Sequence, residues 1–324
     1  MATMTYVNAI RDAQRQEMLR DPKVFVAGED VALMGSSFGQ TGGLYEEFGG
    51  ERVLDTPISE GQIVSLGVGA SAMGLRAVLS LDFCDFLGCC MDEVMNQAAK
   101  MTYMLGGQMC LPLTIRSNIG GEIGAAAQHS QCLEALFTHL PGLKVVSSSN
   151  PRDAKGLLSQ AIRDNNPVIV LEHKALNPMT GDVPEGAFTV PFGKIELKKE
   201  GKDVSILSWA NTLNKCVRAA ADLEKDGIDA EVIDVRSLIP LDIDGILASV
   251  EKTGRVVIAH EAVETGGYGG EIAAMIADKG FDFLDAPIKR VGAPYTPVPF
   301  SGALEKHYQP NEERIIRAVK SLFY

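Results

Sequence analysis

A chain of 324 residues, 46% hydrophobic and 22% charged, is long enough for about two domains with substantial cores. Its net charge of −12 and the lack of any long basic run exclude nucleic acid and anionic membrane surfaces as expected partners. The opening Met1-Ala2-Thr3-Met4-Thr5-Tyr6 has neither the basic segment nor the apolar core of a signal peptide, and no stretch approaches the ~18 apolar residues of a membrane span. A cytoplasmic protein is expected. The six cysteines, Cys84, Cys89, Cys90, Cys110, Cys132 and Cys216, have no metal-site spacing and no CxxC pair, so reduced, buried thiols are expected.

Over residues 1–175, short β-branched or apolar runs at 24–27, 77–83, 111–115, 143–147 and 168–171 alternate with helical patterns. That alternation predicts a mostly parallel sheet with both faces covered. Between the first two runs lies Leu54-Asp55-Thr56-Pro57-Ile58-Ser59-Glu60. Residues 52–54 read as a strand, Thr56-Pro57 fixes a turn, and Ser59 with Gln62 three residues on forms a capping-box pattern that opens a helix. Glu60 then reads as a first-turn acid complementing the helix dipole. Yet the helix is so rich in Gly67, Gly69, Ala70, Ala72 and Gly74 that it is expected to be packed on all sides, and a carboxylate at its buried mouth is costly unless it handles a proton. The run Gly67-Val68-Gly69-Ala70-Ser71-Ala72 fits a loose dinucleotide fingerprint but falls inside this helix instead of in a strand-to-helix turn, which sets that reading aside.

Phe86 follows a strand end and opens a predicted helix running to Lys100; by itself such an aromatic is ordinarily core. His129 stands on a predicted loop between the Gly/Ala-rich strip 120–127 and a helix beginning near Gln131, the kind of place where catalytic side chains cluster. His139, His173, His260 and His307 have no such context and read as structural. Residues 176–202, with several prolines and the charged Lys198-Lys199-Glu200-Gly201-Lys202, read as a linker wrapped along the surface. A second α/β domain follows over 203–324, with strands at 204–209, 230–233, 256–259 and 288–291 and helices over 211–226, 243–251 and 270–279. Gly266-Gly267-Tyr268-Gly269-Gly270 reads as a flexible turn at a subunit contact, with an anion cradle as the other option. Ile315, Ile316, Val319 and Leu322 stand at helical spacing in a tail, 310–322, that should dock on this domain. The expected fold class is α/β: two domains, each with a mostly parallel sheet covered by helices.

The chain resembles the β subunits of thiamine-diphosphate-dependent 2-oxo acid dehydrogenases, with particular likeness to the acetoin dehydrogenase branch. The resemblance runs end to end through Val24-Phe25-Val26-Ala27-Gly28-Glu29-Asp30, Asp55-Thr56-Pro57-Ile58-Ser59-Glu60, Ala125-Ala126-Ala127-Gln128-His129-Ser130-Gln131, Pro141-Gly142-Leu143-Lys144-Val145-Val146, Ala161-Ile162-Arg163-Asp164-Asn165-Asn166-Pro167 and Leu284-Asp285-Ala286-Pro287. It implies a transketolase-like pyrimidine-binding domain and a transketolase C-terminal-like domain. It also implies that Glu60 is the carboxylate against the aminopyrimidine ring of the cofactor, with Ile58 in the same turn as a cofactor contact, and that Phe86 packs on that ring. By the same resemblance His129 faces the substrate and hands a proton to the lipoyl sulfur during acyl transfer. Glu29 matches an acid near the subunit interface that helps link two active sites; a solvated acid at a strand end is the plain alternative. Ala161, Ile162, Asp164 and Asn166 match a potassium-binding loop of some relatives, though helix termination before Pro167 explains the same residues without an ion.

The Gly-Asp-Gly motif that holds magnesium and diphosphate in thiamine enzymes is absent; Gly181-Asp182 is followed by Val183. The implied arrangement is therefore two α and two β subunits, with the α subunit bringing Mg2+ and diphosphate, a β–β dimer contact, and the lipoyl domain and core of a dihydrolipoyl acyltransferase as further partners. Cys84-Asp85-Phe86-Leu87-Gly88-Cys89-Cys90, the stretch Met179 to Glu185 and the stretch Ala293 to Ser301 favour acetoin as substrate. A pyruvate dehydrogenase β subunit is the near alternative, and Cys89, where pyruvate-type relatives tend to carry glutamine, bears on that choice. A non-catalytic assembly module is the alternative from another class.

Overall fold

The runs that no face of which can meet water become the parallel strands of two sheets. In this computed structural model, which describes residues 1–323, the chain forms two compact units. Unit 1 comprises Met1–Ile119 and Leu136–Phe192; unit 2 comprises Gly120–Ala135 and the chain from Gly193 onward. The stretch 120–135 thus clusters with the second unit, although it lies among first-domain residues in sequence.

The strands of unit 1 run in the order Lys144–Ser147, Val168–His173, Leu113–Ile119, Arg76–Leu81, Val24–Gly28, Val53–Asp55, all parallel. Each starts within a few residues of the run expected from sequence. The antiparallel pair Ala2–Thr5 with Thr180–Val183 was not legible, and its second strand falls inside the expected linker. Helices Tyr6–Arg20 and Pro151–Arg163 pack together over one core containing Tyr6, Ile10, Val26 and Leu157. Pro151 sits in the first turn of its helix, where no hydrogen bond is lost, and Asn150 caps it by accepting from Asp153 N at 2.9 Å.

Helix Glu60–Ala72 lies against the sheet so closely that a Cβ on Gly67 would fall 2.5 Å from Leu79 Cδ1 and 2.8 Å from Leu113 Cδ1. The glycine therefore serves helix-to-sheet packing, not a dinucleotide. The expectation of a helix packed on all sides is corrected: Leu66, Gly69 and Met73 face outward, Met73 being 85% exposed, and a Cβ on Gly69 would meet nothing within 4 Å. The capping box is corrected as well. Ser59 makes no side-chain cap bond; its carbonyl alone enters the helix, accepting from Ile63 N at 3.0 Å. The predicted helix from Phe86 to Lys100 is instead a 3-10 turn, Cys84–Cys90, and a π-helical turn, Glu93–Ala98. Gly88 and the cysteines around it are poor helix formers, and π-helical turns are frequent at functional sites.

Unit 2 has the strand order Lys289–Ala293, Val256–Val263, Val204–Ser208, Ala230–Asp234, Glu196–Lys199, parallel except for the last. Helices Ala210–Lys225 and Glu312–Lys320 pack together, and Leu213, Val257, Ile315, Val319 and Leu322 share one core, so the tail docks as its spacing predicted. The helix predicted from Gln131 begins at Glu134, because the Gln131 carbonyl is turned to accept from Gly120 N at 3.5 Å. All six cysteines are free thiols; Cys84, Cys90 and Cys216 are buried, but Cys89 and Cys110 are exposed, against expectation. No helix among the described residues is long and apolar enough to cross a membrane.

Candidate active site

In an open parallel sheet, side chains that act on ligands gather beyond the carboxyl ends of the strands. In unit 1 that edge carries Glu29 after Val24–Gly28, the turn to Glu60 after Val53–Asp55, Asp82 to Phe86 after Arg76–Leu81, and Lys174 after Val168–His173. Two adjacent strand ends are tied directly: Thr56 N donates to Gly28 O at 2.9 Å, and Ala32 N donates to Asp55 Oδ1 at 2.7 Å. Gly28 has to be glycine, since a Cβ there would lie 2.2 Å from Ser80 O on the neighbouring strand. The glycine lets that strand end close up and sets the acid that follows it in place.

The consequence is a concentration of carboxyl groups. Burial first, then the charges of Glu60, Asp82 and Asp30, push the Glu29 carboxyl up to about 7, and Glu29 Oε1 is buried without a hydrogen-bond partner. Burial likewise raises Asp82, against a lowering hydrogen bond donated by the Ser37 hydroxyl. Burial and the charges of Glu93, Glu60 and Cys89 push the Cys90 thiol up to about 12, which keeps it protonated and inert. Glu60 therefore stands within electrostatic reach of both Glu29 and Cys90. Its helix packs against the 3-10 turn that carries Phe86, whose ring meets Phe83 edge to face at 6.0 Å. Ile58, in the turn before Glu60, is 82% exposed. The structure thus brings Glu29 and Glu60 together, with the Phe86 turn packed on the same helix.

Ala161, Ile162, Asp164 and Asn166 lie on the turn that ends helix Pro151–Arg163. Their oxygens are already engaged: Arg76 Nη1 donates to Ile162 O at 3.1 Å and Asp164 O at 3.0 Å, and Asp164 N donates to Ala161 O at 3.1 Å. The Asp164 carboxylate accepts from Lys144 Nζ at 2.5 Å and from Asn166 N at 2.9 Å, and these bonds hold it below its ordinary range in spite of burial, which acts to raise it. A potassium ion here has to share carbonyl lone pairs with a guanidinium.

His129 belongs to unit 2, half-buried on the loop 120–133, with its N–H donating to Ala126 O at 3.5 Å. From the sequence alone the Gly/Ala-rich strip before it offered little to hold it. The structure supplies two carboxylates missed in sequence: Glu261 Oε1 accepts from Gly121 N at 2.6 Å, and Glu305 accepts from Glu122 N at 2.8 Å and Gly124 N at 3.3 Å. Glu122 in turn takes Asn211 Nδ2 at 3.0 Å and an ion pair from Lys215. Partners some 140 to 180 residues away leave no local signal. Beside His129 in sequence, Ser130, Cys132 and Leu133 help line a cavity of about 390 Å³ with Glu261, Val298 and Tyr308.

His260 is fully buried and stacks on Trp209 with ring centroids 5.3 Å apart. Burial, then the Arg290 charge, lower it to about 4, so it stays neutral at ordinary pH. It also explains the glycine run that sequence alone read as a flexible turn: Cβ atoms on Gly267 and Gly269 would each lie 2.6 Å from the His260 ring.

Residues 2–180 match the family description "Transketolase, pyrimidine binding domain" and residues 193–315 match "Transketolase, C-terminal domain". The β subunit of acetoin:2,6-dichlorophenolindophenol oxidoreductase of Bacillus subtilis is 48% identical, over 97% of this chain and 96% of its own. The pyruvate dehydrogenase E1 component β subunit of the same organism is 44% identical, over 99% of each chain. A solved structure described as split gene transketolase, inactive β4 tetramer, superposes with a TM-score of 0.81 at 25% identity over 98% of each chain.

Proposed function

Because the chain belongs to the transketolase-like family of acetoin and 2-oxo acid dehydrogenase β subunits, we propose that it is the β subunit of a cytoplasmic acetoin dehydrogenase first component. The observation that carries the site assignment is the Glu29–Glu60 pair at the carboxyl edge of the sheet, where a buried, unpartnered carboxyl oxygen stands beside a second carboxylate. Such a pair is costly in a fold unless it exchanges protons with something bound there. These residues fit an aminopyrimidine: Glu60 offers a carboxylate for a ring nitrogen, Phe86 an aromatic face, and Ile58 an exposed apolar side chain. Bound thiamine diphosphate supplies the nucleophilic carbon that cleaves a bond next to a carbonyl. Glu60 holds the proton at the ring nitrogen, Glu29 sets the charge Glu60 feels, and His129 moves a proton to the lipoyl sulfur as the acyl group leaves.

With no Gly-Asp-Gly motif in the chain, Mg2+ and the diphosphate fall to an α subunit, in an assembly of two α and two β chains with a β–β contact. A lipoyl domain and the core of a dihydrolipoyl acyltransferase receive the product. The potassium reading of Ala161, Ile162, Asp164 and Asn166 rests on the lone pairs that Arg76 leaves open. Pyruvate is the second substrate reading, favoured by the 44% identity to a pyruvate dehydrogenase β subunit. Turnover of acetoin, pyruvate and branched 2-oxo acids by the chain assembled with its α subunit decides between them. Glu60→Gln in that assembly should abolish turnover and leave assembly intact; activity within about tenfold of the parent, ~1.4 kcal/mol, removes the assignment.

A further inference from the structure

Lys174 opens the 3-10 turn Lys174–Leu176 just beyond the strand Val168–His173, and it is only 2% exposed. A buried ammonium is unusual enough to ask what receives it. Its Nζ sits 5.3 Å from the centroid of the Phe83 ring, over the ring's face. Phe83 in turn meets Phe86 edge to face at 6.0 Å with planes 84° apart, and meets Phe38 with the same geometry. The contacts run in series, from the ammonium to the face of Phe83 and from the Phe83 ring to Phe86. Both kinds of contact gain strength where water is excluded.

We infer that Lys174 is a positioning residue for Phe86, acting through the face of Phe83. The inference rests on the reading of Phe86 as the aromatic that packs on the cofactor's aminopyrimidine, and it adds what sets that ring's plane. The sheet makes the arrangement available: strands Arg76–Leu81 and Val168–His173 flank the same central strand, Leu113–Ile119, so residues just past their carboxyl ends face each other across one strand.

The test is calorimetric titration of thiamine diphosphate, with magnesium, into the chain assembled with its α subunit. Lys174→Met keeps the length and apolar stem but removes the charge, and it should raise the dissociation constant about tenfold, or ~1.4 kcal/mol. Lys174→Arg, which restores a cation, should bring affinity back to within about threefold of the parent. In a Phe83→Leu background, Lys174→Met should weaken affinity much less than it does in the parent, because the ring face it acts through is gone. A merely structural lysine would lower the urea midpoint without this pattern. An unchanged dissociation constant in Lys174→Met, or the same loss with and without Phe83, overturns the inference. If Lys174→Met fails to fold, Phe83→Leu alone decides, and unchanged affinity there overturns it. Phe86→Ala separates the two levels. Unchanged affinity in that variant ends the cofactor reading of Phe86 itself, whereas weakened affinity beside an unaffected Lys174→Met ends only the role of Lys174.

Discussion

Glu29 lies within reach of the Glu60 charge at the carboxyl edge of the first sheet: burial, and next that charge, push the Glu29 carboxyl up to about 7 from 4.5. A group poised there carries a proton part of the time near neutral pH, which is the condition for efficient proton exchange with a bound ligand.

The raised carboxyl has a stability consequence whose sign follows from linkage. Between about pH 4.5 and 7 the folded chain binds more protons at this site than the unfolded chain, so this group's contribution to stability falls as pH rises through that window. Glu29→Gln should therefore be near neutral at pH ~5 and stabilising by ~1 kcal/mol at pH ~8, a figure already reduced for solvent screening of a half-buried group. Urea unfolding of parent and variant at both values checks this. An equal difference at the two pH values removes the pair.

His129 sits on a loop pinned by Glu261 and Glu305. His129→Ala should slow acyl transfer to the lipoyl domain by about 100-fold or more, the usual size of a lost acid–base catalyst, while formation of the cofactor-bound intermediate changes less than about tenfold. Rapid mixing first with substrate alone, then with added lipoyl domain, separates the steps. Equal losses assign His129 to the cofactor chemistry instead.

Two helix glycines should respond to alanine with opposite signs. At Gly269 the new Cβ meets His260 Cδ2 at 2.6 Å and Nε2 at 2.7 Å. Overpacking there should exceed the gain in helix propensity and destabilise the chain by ~1–2 kcal/mol. At Gly69 the Cβ meets nothing within 4 Å, so only the propensity gain remains, ~0.5–1 kcal/mol. Denaturant midpoints of the two variants give the comparison directly.

Arg76 donates to the carbonyls of Ile162 and Asp164, the oxygens that a potassium ion bound in this loop would need. Thermal unfolding in potassium and in sodium chloride at equal ionic strength should differ little for the parent. In Arg76→Gln the potassium-specific stabilisation should grow, reaching ~1.4 kcal/mol when the ion stands at about ten times its dissociation constant. No difference between the salts in either protein removes the ion from this loop.

What the sequence by itself determined is what depends on neighbours in the chain. Strands such as 24–28 and 204–208 are legible because β-branched and apolar runs have nowhere to go but a sheet covered on both faces. The tail helix is legible because Ile315 and Val319 fall one turn apart. Glu60 was singled out on the same local grounds, as an acid between a proline-fixed turn and a helix that it opens. The tertiary structure alone decided the rest, because those features depend on partners that only the fold brings into contact. That Glu29 feels Glu60 follows from two parallel strands ending side by side. The reason for Gly28 is a carbonyl on a neighbouring strand, and that for Gly269 is a ring nine residues earlier whose burial no local pattern announces. Lys174 carries no local signal of this role, and only the sheet order sets its charge over Phe83.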